Sequence, residues 1–400
     1  MIKRVLYLEK LHKLRDQHLI KVISGVRRSG KSTLFELFRN ELLEGEVDES
    51  QIISINFEDP ERLNSNYLEI YREISAKLIK HKMNYVFLDE VQNIAGFEKM
   101  VNGLFVKKNV DLYITGSNAY FLSGEFATLL TGRMFEIKIL PLSFAEYITA
   151  FPNKSRDELF YNYQVYGAFP QVTEILKTDP SLAKEYLSGI YNTILFKDVI
   201  ARKGVNDREV LEHVSRFLLD NIGNFVSPKK ISDYMGNNYR KVAPQTIDTN
   251  LSALIDGFLN YSVSRYDIKG KQFLQTQQKY YTVDTGLRNA ILGNRADIDR
   301  GYVLENIVFL ELLRRGGDIW VGRSKDGGEV DFVVKDNNGA TSYYQVAENM
   351  TSQETRNREL KPLLAIDNNN PKYIISGDIG VYNFDGIKQI NIVKWLLGKN

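Results

Sequence analysis

Two sets of residues in this sequence have the types and spacing for chemistry on phosphates. The first is Gly25-Val-Arg-Arg-Ser-Gly-Lys31-Ser32, which fits the pattern G-x-x-x-x-G-K-[ST]. Gly25 and Gly30 permit backbone angles that bring a row of N–H groups round a polyphosphate. In that arrangement Arg28, Ser29 and Thr33 lie along the loop, Lys31 reaches the β- and γ-phosphates, and the Ser32 hydroxyl ligands Mg²⁺. The second set is the adjacent pair Asp89 and Glu90, closing the run NYVFLDE. Asp89 is placed to hold the Mg²⁺ and Glu90 to polarise an attacking water as general base.

Two weaker candidates follow. The strand expected at 111–115 ends in Gly116-Ser117-Asn118, where Ser117 or Asn118 could position the water or simply cap the next helix. Arg133, in Thr-Gly-Arg, could supply positive charge to a transition state from its own chain or a neighbour, or be an ordinary surface arginine.

These residues work only on the right elements. Leu19 to Ile23 reads as a buried strand, and from Lys31 the apolar positions Leu34, Leu37 and Phe38 follow a helical period. Strand, glycine loop and helix is the context the first pattern needs, and the helix N-terminus adds its positive dipole end. Strands are expected at 51–57, 84–92, 111–115 and 135–140, with helices at 3–16 and 67–81. After Pro141, helices are expected at 142–151, 156–165 and 181–200, divided by Gly167, Pro170 and Pro180, as a small lid-like subdomain.

Composition bounds the rest. The chain has 43% hydrophobic and 26% charged residues, an ordinary globular balance, enough for two to four domains. It has no cysteine, which excludes disulfides and thiolate metal sites and fits a reducing compartment. His12, His18, His81 and His213 show no ligand spacing. The first residues lack an apolar signal core and no apolar run reaches membrane-spanning length, so a cytoplasmic protein with no membrane partner is expected. Net charge is only +2.

Residues 208–290 read as helix, helix, turn, helix and hairpin, the outline of a winged helix. Residues 226–290 carry nine Lys/Arg against five Asp, an excess of four. That permits contacts from Lys229, Lys230, Arg240, Lys241, Lys269 and Lys271 to the phosphates of duplex DNA, although winged helices also serve as plain protein contacts. The last part alternates helix and strand: helices near 301–315 and 354–365, strands near 318–322, 329–334, 341–346 and 372–375. It carries Glu305, Glu329, Asp331 and Gln345.

The blocks GVRRSGKST, YVFLDEVQN, YITGSNAYFLSGEFATLLTGRMFEIKILPLSFAEY, YGAFPQV, YYTVDTGLRNAILG, YVLENIVFLELLRRG and GGEVDFVV, in this order, resemble the prokaryotic AAA-type ATPases that carry a C-terminal domain of unknown function. The resemblance spans nearly the whole chain. It implies an α/β fold: an additional-strand, AAA-type parallel sheet with its phosphate loop over 1–150 and a helical subdomain over 151–207. A winged helix over 208–296 and a restriction-endonuclease-like α/β domain over 297–400 would follow. The phosphate loop and acid pair call for ATP and Mg²⁺ as cofactors and a cycle of ATP and ADP, and a role of Arg133 towards a neighbour would call for a homo-oligomer.

In nuclease-like sites of this kind, acids hold Mg²⁺ and a lysine orients the attacking water. Glu305, Glu329, Asp331 and Gln345 fall at the acidic positions, but the strand after GGEVDFVV reads Tyr343-Tyr344-Gln345-Val346-Ala347, with alanine where the lysine is expected. The domain is therefore expected to be nuclease-like without nuclease activity. The leading expectation is an ATPase whose cycle moves a DNA- or protein-binding C-terminal half. The alternatives are a nucleotide-gated switch or scaffold with little turnover, an ATP-regulated nuclease, and a P-loop kinase, which has no use for the water-activating Glu90.

Overall fold

A computed structural model describes residues 1–62, 65–117, 132–200, 205, 207–294, 298–380 and 382–399. The chain divides into two units, one formed by residues 1–140 with 256–258, the other by 141–255 with 259–400.

The first unit is built on a parallel sheet of β1 (Ile20–Ser24), β2 (Ile52–Asn56), β3 (Asn84–Asp89), β4 (Val110–Gly116) and β5 (Met134–Lys138), in spatial order β2-β3-β4-β1-β5. The central strands β1, β3 and β4 are buried along their whole length, as expected where helices cover both faces. Alternation sorts their side chains. Val22, Val86, Leu88 and Ile114 pack with the helices Tyr67–Lys77 and Phe97–Phe105. Ile23, Tyr85, Phe87 and Tyr113 pack on the other side with Leu8 and Leu11 of Val5–Leu14 and Leu34 and Phe38 of Lys31–Glu44. Phe87 lies stacked on Tyr113 at 4.8 Å between centroids. Truncating such a ring to alanine costs about 3–5 kcal/mol.

The second unit opens with helices Phe144–Thr149, Arg156–Tyr166, Pro170–Thr178 and Ala183–Thr193, the last continuing as a π-helical stretch, Ile194–Ile200. The helix at 170–178 differs from expectation: Pro170 begins it rather than separating its neighbours, because a proline at the first helical position loses no hydrogen bond. The helices expected as a lid belong to this unit. Helices Arg208–Asp220, Pro228–Asn238 and Pro244–Asp256 follow, each of the first two capped by the side chain before it, Asp207 and Ser227.

One mixed sheet completes the unit. Its strands are β6 (Phe225–Val226), β7 (Asn260–Asp267), β8 (Gln272–Thr282), β9 (Asp318–Arg323), β10 (Glu329–Lys335), β11 (Thr341–Ala347), β12 (Lys372–Ser376), β13 (Tyr382–Phe384) and β14 (Ile387–Asn391). They lie in the order β13-β14-β12-β11-β10-β9-β7-β8-β6. The hairpin β7–β8 is thus joined to the later strands through parallel pairing of Arg265–Asp267 with Val321–Arg323. The boundary expected at 296/297 falls within the span of one sheet. Helix Arg300–Arg315 packs on β8, β10 and β11.

Candidate functional sites

The phosphate loop joins the carboxyl end of β1 to the helix Lys31–Glu44. Gly25 has φ +150° and a Cβ there would lie 2.2 Å from the Ile139 carbonyl oxygen; Gly30 is left-handed at φ +98°. Both positions need glycine. Lys31 is buried, and its ammonium donates to the carbonyl oxygens of Gly25 at 3.1 Å and Val26 at 3.4 Å. Ser29 is buried, while Arg28 and Ser32 are exposed and Thr33 is half-buried.

The acids arrive from β3. Asp89 accepts from the hydroxyls of Thr115 and Ser32. Burial pushes its carboxyl above the usual range, Ser32 and Thr115 acting against that shift. Thr115 Oγ1 also accepts the Glu90 N–H at 2.9 Å, so one hydroxyl on β4 ties down both acids. Glu90 is left-handed at φ 54°. One of its carboxylate oxygens lies 3.5 Å from the Lys31 ammonium, and the other accepts from the Gln92 amide. Burial raises the Glu90 pKa, but Lys31, Gln92, Arg27 and Ser117 outweigh it and leave the group below the ordinary glutamate value.

Gly25, Gly30, Lys31, Ser32, Asp89 and Glu90 are therefore brought together, with Arg28, Ser29 and Thr33 along the same loop and helix start. Asn118 lies outside the described residues; its neighbour Ser117 is buried and accepts from Gln92 at 3.4 Å. Arg133 stands elsewhere. It is exposed at the start of β5, where Met134 pairs with Ile20 at the beginning of β1, whereas the phosphate loop follows Ser24 at the other end of that strand. Its guanidinium donates to Asn102 at 3.0 Å and lies over Phe105. A role within its own chain does not fit this placement, because parallel strands put their starts and ends on opposite edges. Thr115 and Gln92 are the contributors the sequence reading passed over. Gln92 carried a signal, standing two residues beyond the proposed base.

Mg²⁺ fits the first site: the Ser32 hydroxyl and the buried Asp89 carboxylate already meet beside the glycine cradle. An ion held there would neutralise charge on the phosphates of a bound nucleotide.

The second cluster lies wholly in the second unit. Glu305 projects from helix Arg300–Arg315, Glu329 and Asp331 from β10, and Gln345 from β11. All four line a cavity of about 500 Å³, with Glu359 beside them. Gln345 accepts the Asp331 N–H at 3.3 Å and donates to Glu359 at 2.9 Å. One Asp331 carboxylate oxygen accepts the Val346 N–H at 2.8 Å. Burial, followed by the charge of Glu305, holds Asp331 well above the usual carboxylate range, with Lys279 opposing.

A lysine does stand among these acids. Lys279, on β8, lies 2.8 Å from Glu305, 2.6 Å from Glu329 and 3.8 Å from Asp331. Two residues on, and so on the same sheet face, the Tyr281 hydroxyl donates to the same Glu305 oxygen at 2.6 Å. β11 carries Ala347 where the lysine was expected, and the lysine beside the acids comes from β8 instead. The basic excess over 226–290 also shrinks at the surface, since Lys279 and Arg288 are buried and paired with acids. Lys229, Lys230, Arg240, Lys241, Lys269 and Lys271 are exposed.

Two family profiles match the chain, an AAA domain over residues 17–148 and a domain of unknown function (DUF8612) over 157–297. An uncharacterised protein of Haemophilus influenzae is 40% identical over 406 residues, covering 99% of both chains. An uncharacterised protein of Methanocaldococcus jannaschii is 29% identical over 395 residues, covering 93% of this chain and 84% of that one. Among solved structures, a Walker-type ATPase of Pyrococcus abyssi superposes with a TM-score of 0.53 at 16% identity, covering 73% of this chain and 96% of that one. The fold is thus similar to that of a P-loop ATPase. No described helix is long and apolar enough to cross a membrane.

Proposed function

This chain belongs to the family of AAA-domain proteins that carry the DUF8612 region, together with its H. influenzae relative, and we propose that it is a Mg²⁺-dependent ATPase whose cycle moves a DNA- or protein-binding C-terminal half. The observation that carries this reading is the meeting of Lys31, Ser32, Asp89 and Glu90 at one edge of the parallel sheet. Lys31 binds the terminal phosphates, leaving the carbonyl oxygens of Gly25 and Val26. Glu90, ionised at neutral pH, accepts a proton from the attacking water. Thr115 and Gln92 hold the two acids in place.

Measuring nucleotide binding and phosphate release separately tests this. Lys31→Ala should lose ATP binding, whereas Glu90→Gln should bind ATP and not turn it over. Hydrolysis by Glu90→Gln at the wild-type rate would remove Glu90 as the base. Tight binding without turnover in the unaltered protein would favour the switch or scaffold reading. Arg133, exposed on its own chain, is left a role only towards a neighbouring copy. Unchanged sedimentation between apo, ADP and ATP-analogue states would count against such an assembly.

For the C-terminal half we propose a nuclease-like site that does not cleave, and weak, salt-sensitive contact with duplex DNA through the exposed lysines and arginines of 226–290. Incubation with plasmid, single-stranded DNA and RNA, with Mg²⁺ or Mn²⁺, tests the first. Cleavage that disappears in Asp331→Ala would overturn it.

A further inference from the structure

We propose that the Lys279 ammonium is the resident cation of the C-terminal cavity, standing where a nuclease-like site would hold a divalent metal. This goes beyond the absence of cleavage: it says what fills the position, and it rests on the nuclease-like reading only for the identity of the acids.

The geometry disagrees with a metal at that point. A Mg²⁺ or Mn²⁺ ion needs oxygen ligands at about 2.1 Å from several acids at once. Here the convergence point of Glu305, Glu329 and Asp331 is taken by a nitrogen 2.8, 2.6 and 3.8 Å away from them. The Glu305 oxygen that faces it already accepts from both Lys279 and Tyr281. Asp331 directs one oxygen to the Val346 N–H, and Gln345 uses both ends of its amide on Asp331 and Glu359. A divalent ion beside this ammonium would face a like charge in a low-dielectric pocket, where repulsion is far stronger than in water.

Lys279 is anchored from three directions: it sits on β8, its first partner on helix Arg300–Arg315, its second and third on β10. Its side chain is only 3% exposed. A buried ammonium with these partners cannot swing into water without leaving three acids uncompensated. The side chain therefore does two things at once. It neutralises the acids that a metal would otherwise bind, and it pins the hairpin β7–β8 to the strands that follow.

The assignment predicts a gain of function on removal. Mn²⁺ binding is followed by electron paramagnetic resonance on the full chain without nucleotide, so that the phosphate-loop site contributes no triphosphate ligands. The wild-type protein and Lys279→Arg should bind no Mn²⁺ in the cavity. Lys279→Ala should gain one Mn²⁺ per chain and a Tm that rises with Mn²⁺, and both should disappear in Lys279→Ala/Asp331→Asn. Two results would overturn the proposal: nucleotide-independent Mn²⁺ binding by the wild type that is lost in Asp331→Asn, or a folded Lys279→Ala that gains no Mn²⁺. Should Lys279→Ala not fold alone, Lys279→Gln is compared in its place, and the wild-type titration decides independently of either variant.

Discussion

Each unit of this protein contains a lysine buried among acids, and the two are held in opposite ways. Lys31 lies 3.5 Å from Glu90 and donates otherwise to two backbone carbonyls of a glycine loop, one of them at 3.4 Å. Its contacts are long and few, so a better anion can draw it away. Lys279 is within 2.8 Å of two carboxylates and close to a third. The first lysine stands ready for a ligand that arrives; the second is satisfied by its own chain. Residue type and burial are alike at the two sites. What differs is whether the positive charge is already spent, and this separates a binding group from a structural one better than the presence of a lysine does.

The comparison can be broken at several points. The largest expected effect is at Glu90: Glu90→Gln should lower kcat on the order of 10²–10⁴-fold with ATP affinity kept, since it removes only the proton acceptor. Fluorescent-nucleotide titration beside phosphate release reads both quantities. Lys31→Ala should abolish measurable ATP binding and lower Tm less than the loss of Lys279 does, since only Glu90 loses a partner. Lys279→Met should do the reverse, lowering stability by about 3–5 kcal/mol in chemical denaturation, because acids left without their partner are costly. If the two lysine variants gave the same profile, the distinction between a ready and a spent charge would fail.

Thr115→Val sharpens the first half of the comparison. It removes the hydroxyl shared by Asp89 and the Glu90 N–H, and should reduce kcat by roughly tenfold through misplacement rather than loss of the base. Equal kcat in Thr115→Val and wild type would leave the acids positioned by the strand alone. A separate effect, on stability alone, concerns Asp284, buried at the N-terminus of helix Thr285–Leu292, whose pKa burial raises to about 6. A raised carboxyl pKa means the folded state holds the proton more tightly, so stability declines as pH rises from about 4, the unfolded value, to about 6 and is level above. Asp284→Asn should lack that decline, which thermal unfolding across the interval would show.

Much of this was legible in the sequence, and the parts that were not share a cause. The phosphate loop, its strand and helix, and the acid pair are local: each needs only neighbours within a few residues. The helical N-terminus at Pro170 was hidden because proline both ends and begins helices, and only the burial of Val172 and Thr173 shows which. Arg133 was left open between its own chain and a neighbour because only the pairing of β5 with β1 shows how far it stands from the phosphate loop. Lys279 was missed because two helices and a strand separate it in the chain from the strand of Asp331, and it reaches that residue only through the joining of β7 to β9. Its signal was a lysine in phase with Tyr281 on a strand whose neighbouring positions 280–283 are buried.

The short parallel seam between β7 and β9 also sets an order of events during synthesis. Arg265–Asp267 must wait for Val321–Arg323, which leave the ribosome more than fifty residues later. Until then the outer edge of β7 presents unpaired backbone groups, and Lys279 is without its acids. A chain stopped at residue 297, where the DUF8612 match ends, would be left in that condition for good. Such a fragment should associate edge to edge.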